Sequence, residues 1–253
     1  ATADATLAGS KSMPVPAHSA GDLLLLIVLG RNTNLDAGFT SINTAGWTQI
    51  GGAGTSYGTS LARIGGGWKI GDGSETTVNI TMAGGTGTDR FIGRVNRFTA
   101  ANGFASPPIA NLSSATQGAT STLTLPTVVG ATNRLAVAIV GASAAGGYGE
   151  PSGETAPTDW TEPVVDSGAT NGCVGIMITV ADSTASTGTC TARSGWVTIG
   201  FTLEPATTAG SAVNTVEIGA IEWNVTYTAG GGVTEQPFAK RSGGVPFVGA
   251  SGK

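Results

Sequence analysis

The stretch Ala20-Gly-Asp-Leu-Leu-Leu-Leu-Ile-Val-Leu-Gly30 has a counterpart in Ala131-Thr-Asn-Arg-Leu-Ala-Val-Ala-Ile-Val-Gly141 of the same chain. Both contain an unbroken apolar run of strand length, Leu23–Leu29 and Leu135–Val140. Such runs are typical of central β-strands that are covered on both faces. The pair therefore predicts two strands with equivalent places in a repeated β structure.

Short motifs follow the two apolar runs in the same order. A Trp-Thr pair, an acidic turn after a strand and a Phe-Thr pair occur once in each half. The anchors are Gly30, Trp47, Asp72 and Phe98 in the first half, and Gly141, Trp160, Asp182 and Phe201 in the second. We interpret the chain as an internal duplication, with one repeat at about 12–100 and the other at about 125–204. A duplicated scaffold favours a role as a surface over a role in catalysis.

The composition predicts an all-β protein. Among 253 residues 41 are Gly, only 11% are charged, and strong helix formers are scarce beside Thr and Val. Apolar residues make up 40% and the net charge is −4, so burial of apolar surface in a core can offset the entropy lost on folding. The weak negative charge argues against nucleic acid as a partner. No apolar run approaches the ~20 residues that span a membrane.

Elsewhere the hydrophobic pattern alternates with a period of two, as in Val78–Met82, Val174–Val180 and Val197–Leu203. Strands with one apolar face must pack on a second sheet. We predict a jelly-roll-like antiparallel sandwich of about ten strands, in which the two halves face each other. Two separate small sandwiches are the alternative. A basic group, Arg90, Arg94 and Arg97, is interpreted as the solvated face of one strand with ion pairs.

The sandwich is predicted to extend over residues 1–228, with a closing strand at 215–227. A Gly-rich C-terminal arm, 229–253, follows and lacks alternation. Its spaced aromatic and basic residues suggest docking on a partner. The candidate docking residues are Phe238, Lys240, Arg241 and Phe247. A frayed terminus is the alternative interpretation.

Residue counts argue against a catalytic centre. His18 is the only histidine and is expected at the surface, which leaves no pair of histidines for zinc or for base catalysis. No catalytic residue, resident metal or cofactor is predicted. The Gly-rich stretches Gly65–Gly67 and Gly84–Gly85 match no phosphate-binding loop and are interpreted as turns or bulges.

An acidic loop and the two cysteines are further candidates for cation binding, catalysis or a disulfide. An acidic loop, Glu150–Asp166, is interpreted as solvated, with a bound cation or a catalytic carboxylate pair left open. Cys173 lies out of phase with the apolar face of its strand, whereas the alignment of the repeats turns Cys190 inward. The two thiols should face opposite sides, so we predict two free cysteines.

The five tryptophans are the last candidates. Trp47 and Trp160 occupy equivalent repeat positions and are expected to fill core corners, and Trp223 lies in an alternating strand. Trp68 and Trp196 each stand beside Gly near a strand end. If the protein binds a glycan, these two are the predicted stacking platforms.

Three segments of the first half carry a resemblance to a known group of proteins. They are Pro16-Ala-His-Ser-Ala-Gly-Asp-Leu-Leu-Leu25, Gly46-Trp-Thr48 and Trp68-Lys-Ile-Gly-Asp-Gly-Ser-Glu75. Together they resemble a recurring sequence pattern of tailed-bacteriophage proteins. Proteins with this pattern look like virion appendages: capsid decorations, head fibres and tail-associated β-sandwiches. The resemblance covers residues 12–100 well and 125–204 more loosely. In the second half Asp22 is replaced by Asn133.

The resemblance implies a fold and a setting, because its motifs are scaffold residues rather than functional ones. The function it implies is a non-enzymatic structural protein of the virion, bound to neighbouring capsid or tail subunits and forming a homo-oligomer. The expected location is the virion, assembled in the host cytoplasm. A glycan-binding adhesin that attaches to a host surface is the alternative. A polysaccharide-cleaving enzyme and a bacterial surface repeat protein stay open behind these two.

Overall fold

The chain forms an all-β structure. The computed structural model describes residues 2–6, 9–31, 38–53, 55–58, 62–83, 90–118, 122–131, 134–143, 160–168, 172–180, 182, 186–189 and 195–206. These residues contain seventeen strands and no helix, so the prediction of an all-β protein is confirmed. Within them, no helix is long and apolar enough to cross a membrane.

The strands of the first half and of the link to the second are β1 (Thr2–Thr6), β2 (Gly9–Pro14), β3 (Leu23–Arg31), β4 (Gly38–Ile42), β5 (Thr48–Gln49), β6 (Tyr57–Gly58), β7 (Arg63–Ile70), β8 (Thr77–Ala83), β9 (Arg90–Phe98) and β10 (Phe104–Ala110). The remaining strands are β11 (Thr116–Gly118), β12 (Thr122–Leu125), β13 (Leu135–Ser143), β14 (Thr161–Gly168), β15 (Gly172–Thr179), β16 (Ser186–Thr189) and β17 (Gly195–Pro205).

The strands form four antiparallel sheets. The first large sheet has the order β1-β9-β3-β7-β5, with β6 also beside β7. The second large sheet has the order β10-β17-β13-β15-β14, with β11 also beside β17. A first small sheet contains β2-β8-β4 and a second small sheet contains β12-β16. The strand count exceeds the ten that the alternating segments predict, because several edge strands are too short to show a period.

The two unbroken apolar runs form the central strands, as their composition predicts. β3 lies between β7 and β9, and β13 lies between β15 and β17. Leu23, Leu25 and Ile27 point to one side of the first large sheet and Leu24 and Leu26 to the other, and all five are fully buried. Each strand therefore has two apolar faces, and each face needs its own cover.

Three hydrophobic cores provide that cover. In the central core the two large sheets face each other, with Leu25 and Ile27 in the same cluster as Val137 and Ile139. The first small sheet covers the outer face of the first large sheet, and the second small sheet covers that of the second. The described chain is thus four layers deep. The two large sheets face each other as predicted for the two halves, and a small sheet covers the outer face of each because both central strands are apolar on both faces.

The register corrects the alignment of the two repeats in these strands. Alignment through Gly30 and Gly141 sets Leu24 against Leu135, but Leu24 lies in an outer core and Leu135 in the central core. Successive residues of a strand point to opposite faces, so a shift of one residue exchanges inside and outside. The alignment through the two glycines therefore does not match the faces of the two strands.

The glycine run Gly65–Gly67 was predicted as a turn or bulge, and this prediction is wrong. It lies inside β7, where Gly65 is paired with Val28 and Gly67 with Leu26. A Cβ on Gly65 would lie 2.2 Å from Cδ1 of Phe39, and one on Gly67 would lie 2.2 Å from Cδ1 of Ile42. The missing side chains let β4 approach β7 closely.

Candidate functional site

Among the described residues, a dense group of charged side chains lies at one end of the first large sheet. Three segments meet there: the loop before β3, the turn between β7 and β8, and the end of β9. We call this group the charged corner. Its members are His18, Asp22, Lys69, Asp72, Glu75 and Arg97.

Backbone hydrogen bonds hold the first two segments together. The N–H of Gly21 donates to the carbonyl of Gly71 at 2.9 Å, and the N–H of Gly71 donates to the carbonyl of Asp22 at 2.8 Å. Gly21 has a φ of 92°, which favours glycine. At Gly71 a Cβ would lie 2.6 Å from Cδ2 of His18. Glycine at this position therefore makes room for the imidazole.

The imidazole of His18 is almost completely buried, with 2% of its side chain exposed. The prediction of a surface histidine is therefore wrong. Nδ1 lies 2.9 Å from the carbonyl oxygen of Pro16, and Nε2 lies 2.5 Å from Oε2 of Glu75. A carbonyl can only accept, so Nδ1 donates. Both ring nitrogens of His18 therefore have partners within the chain, Nδ1 on Pro16 and Nε2 on Glu75.

Glu75 is the centre of the charged corner. It also pairs with Nζ of Lys69 and accepts from the backbone N–H of Asp72 at 3.1 Å. Burial opposes its ionisation, but the hydrogen bonds from Lys69 and His18 outweigh burial and hold the pKa of Glu75 well below its usual range. The hydrogen bond to Glu75 raises the pKa of Lys69. At neutral pH Lys69 and Glu75 are therefore charged and paired with each other.

The end of β9 joins the corner through Arg97. Its Nε lies 2.8 Å from Oδ2 of Asp22, but the N–H is not aimed at a hydrogen-bond acceptor, so the contact is an ion pair. A terminal nitrogen of Arg97 donates to the carbonyl of Ala17 at 3.2 Å. Asp22 also accepts from the N–H of Ser19 at 2.7 Å. The corner thus closes one end of the strands β3, β7 and β9.

The ion pairs and hydrogen bonds of this arrangement hold the three chain segments together. Two cations and the imidazole of His18 face three carboxylates, and the buried carboxylate of Glu75 is occupied by partners from its own chain. Within the described ranges, no group of three or more His, Cys, Asp and Glu side chains could hold a metal ion. The two motif segments contain most residues of the charged corner, but the sequence does not indicate that His18 pairs with Glu75.

The second half closes the corresponding end differently. The carboxylate of Asp182 accepts from the backbone N–H of Ala131 at 2.6 Å. Nε of Arg134, just before β13, lies 3.1 Å from Oε2 of Glu204 in β17. Arg134 is partly exposed, with 42% of its side chain accessible. This end therefore has one exposed ion pair in place of a buried network.

The structure separates the two tryptophans that were proposed as sugar platforms. Trp196 has only 3% of its surface exposed, and its ring occupies the space above Gly118. A ring so deeply buried presents no flat face to a sugar in solution. Trp68 is partly buried and packs against the central core. Trp160 is buried and Trp47 packs against an outer core, which agrees with their prediction as core residues.

The prediction that the basic group on β9 forms a solvated face with ion pairs is confirmed only in part. Arg97 forms the expected ion pair, but Arg94 has only 8% of its surface exposed and is not on a solvated face. Of Arg90 the structure describes only the backbone.

Several predicted features lie outside the described residues. They are the closing strand 215–227, the arm 229–253 with Phe238, Lys240, Arg241 and Phe247, the glycines Gly84–Gly85, Cys190, Trp223 and the acidic loop up to Asp159. Cys173 and Asp166 belong to described strands, but their side chains are not among those described.

Comparison of the chain with protein-family models, with curated proteins and with solved structures found no match.

Proposed function

We propose that the chain is a non-enzymatic structural protein of a tailed-bacteriophage virion. In this role it decorates the exterior of the capsid or tail. It binds neighbouring virion subunits through an edge of its sandwich and its C-terminal arm.

The charged corner is the observation that carries this proposal. The segments that resemble phage appendage proteins are far apart in the chain, yet 16–22 and 68–75 meet through two backbone hydrogen bonds and the His18–Glu75–Lys69 network. The chemistry of these motif residues would then be scaffold chemistry. Its polar groups are directed at one another rather than at a groove, which supports a structural role over catalysis.

We also propose that the architecture is a duplicated jelly-roll-like one. The matching strand order of the large sheets supports this: β9-β3-β7 in one corresponds to β17-β13-β15 in the other, with a strand from the preceding segment beside β9 and β17. In each half the small sheet pairs the strand before the central strand with the strand after β7 or β15. Duplication followed by packing of the two large sheets would produce such a molecule.

The proposal is tested on particles of the phage whose genome encodes the chain. Antibodies against the full chain, detected with gold in negative stain, should label the capsid or tail at regular positions. Purified full chain should also bind particles that lack it. A matched variant, Phe238→Ser with Phe247→Ser, should bind less if the arm is an anchor.

Absence of the chain from purified virions, measured by mass spectrometry, would contradict the proposal. Specific binding to one carbohydrate on a glycan array, without particle binding, would favour the adhesin alternative instead.

A further inference from the structure

The described residues contain three large hydrophobic side chains with high exposure. They are Leu112 (39% exposed), Val129 (59%) and Val180 (55%). Isolated exposed apolar residues are ordinary on protein surfaces. These three are not isolated from one another, because the loops that carry them meet at one end of the second large sheet.

Polar contacts establish that the three loops meet. The amide of Asn111, next to Leu112, lies 2.6 Å from the position of a Cβ on Gly130, next to Val129. Asp182, two residues after Val180, accepts the N–H of Ala131, two residues after Val129. We call Leu112, Val129 and Val180 the apolar patch. Interaction surfaces are found where exposed apolar side chains gather rather than where they are scattered.

The chain itself supplies a candidate occupant at the same end. β17 ends at Pro205, and Glu204 just before it pairs with Arg134 beside the patch. Residues 207–253 lie beyond this point and contain the arm with Phe238 and Phe247. An extended chain covers roughly 3.3–3.6 Å per residue, so the intervening residues can reach the patch of the same copy or of a neighbour.

The charges are complementary as well. The arm carries Lys240 and Arg241 between its two phenylalanines. The carboxylates of Asp182 and Glu204 lie near the patch, and that of Glu204 is paired with Arg134. Two aromatic anchors with cations between them therefore match an apolar surface that has the carboxylate of Asp182 at its rim.

We propose that the apolar patch is the docking surface for the arm of this chain, with Phe238 and Phe247 as its anchors. The docked arm removes Leu112, Val129 and Val180 from water and places Lys240 and Arg241 near Asp182 and Glu204. The inference takes from the proposed function only the role of the arm as an anchor, and its test needs no virion.

Photo-crosslinking in the full chain tests this docking. The photoreactive residue p-benzoylphenylalanine replaces Phe238 or Phe247, and mass spectrometry identifies the crosslinked peptides. We expect crosslinks to peptides that contain Leu112, Val129 or Val180. In the double variant Val129→Asp and Val180→Asp the yield should fall about tenfold, because unpaired carboxylates are costly to bury. Ser10→Asp, at an exposed position on β2, is the control and should leave the yield unchanged.

The size of the crosslinked product on a denaturing gel tells whether the arm docks on its own copy or on a neighbour, and either result supports the proposal. Crosslinks to other surfaces, or a yield that the double variant leaves unchanged, would overturn it. If circular dichroism shows that the double variant is unfolded, Leu112→Ser provides the same test with a milder change. Particle binding is measured separately, so its failure is distinguishable from failure of the docking.

Discussion

Nε2 of His18 lies 2.5 Å from Oε2 of Glu75, although the two residues are 57 positions apart in the chain. The contact connects the loop before β3 to the turn after β7, and Lys69 approaches the same carboxylate from the end of β7. Both ring nitrogens of His18 are used, one on Pro16 and one on Glu75. The only histidine of the chain thus fixes the entry to the central strand of the first half.

Replacement of Glu75 by Gln should destabilise the protein. The change leaves the buried imidazole of His18 and the ammonium of Lys69 without their carboxylate, and loss of one member of such a buried network costs about 3 kcal/mol. Urea denaturation of the full chain measures the effect. Asp72→Asn is the matched control, because Asp72 is mostly exposed and pairs with Lys69 only at 3.7 Å. An equal loss for both variants would contradict a central role for Glu75.

The same network predicts a loss of stability in acid. The folded-state pKa of Glu75 is lower than its unfolded value, so its contribution is present above the unfolded pKa and is lost as pH falls through the folded pKa. The urea midpoint should therefore decline once pH drops below about 4, the ordinary range of a glutamate. In Glu75→Gln the decline should be shallower. Parallel declines in both proteins would show that other carboxylates dominate acid unfolding.

Replacement of Gly65 by Ala should destabilise the first half. The new methyl group would lie 2.2 Å from Cδ1 of Phe39, which is itself buried, so the ring or β4 must move. Overpacking of this kind costs about 1–3 kcal/mol. Gly38→Ala is a suitable control, since its nearest neighbour is the flexible side chain of Arg63 at 3.2 Å. The double variant Gly65→Ala and Phe39→Leu should recover part of the loss, and full additivity in urea denaturation would exclude the contact.

Truncation of Trp196 should act on stability. Its ring is buried in an outer core, and Trp→Ala at such sites costs about 3–5 kcal/mol. Trp196→Phe should cost much less, because the buried indole N–H has no hydrogen-bond partner to lose. Thermal unfolding of both variants measures the difference. A folded, fully stable Trp196→Ala protein would contradict the core position and return Trp196 to the candidates for a ligand surface.

The sequence predicts the strands better than it predicts how they are layered. Leu23–Leu29 is apolar without interruption, which correctly indicates a central strand with two covered faces. The same observation implies two covering sheets, but the strands that provide them are short: β4 has five residues and β12 has four. Segments of that length carry too few alternations to be separated from loops by their period.

The charged corner lay beyond sequence analysis for a different reason. His18 stands in a Pro-rich lead-in in which no neighbouring side chain pairs with its ring, which is typical of an exposed residue in a sequence. Its burial depends on Gly71, where the absence of a Cβ makes room for the ring, and on Glu75 at the end of the following turn. Gly71 and Glu75 are both remote from His18 in the sequence. The backbone hydrogen bond between Gly21 and Gly71, which brings the two segments together, is visible only in the structure.

Asn96 is a polar side chain in an apolar place. It lies on β9 in phase with Ile92 and Phe98, which belong to the central core, and only 4% of its surface is exposed. Its amide donates to the carbonyl of Leu25 over a long 3.4 Å, and its Oδ1 has no hydrogen-bond partner. A buried acceptor without a donor loses its hydration and gains nothing in exchange.

Replacement of Asn96 by Leu should therefore stabilise the protein. Leu is close in size, removes the unsatisfied oxygen and adds apolar contacts, a change worth up to about 1–2 kcal/mol. Asn96→Asp, which places a charge at the same position, should have the opposite sign and a larger size. The urea midpoints of the three proteins, measured at neutral pH, give the order Leu above Asn above Asp. A lower midpoint for Asn96→Leu would mean that the amide of Asn96 makes a stronger hydrogen bond in solution than the 3.4 Å contact with Leu25.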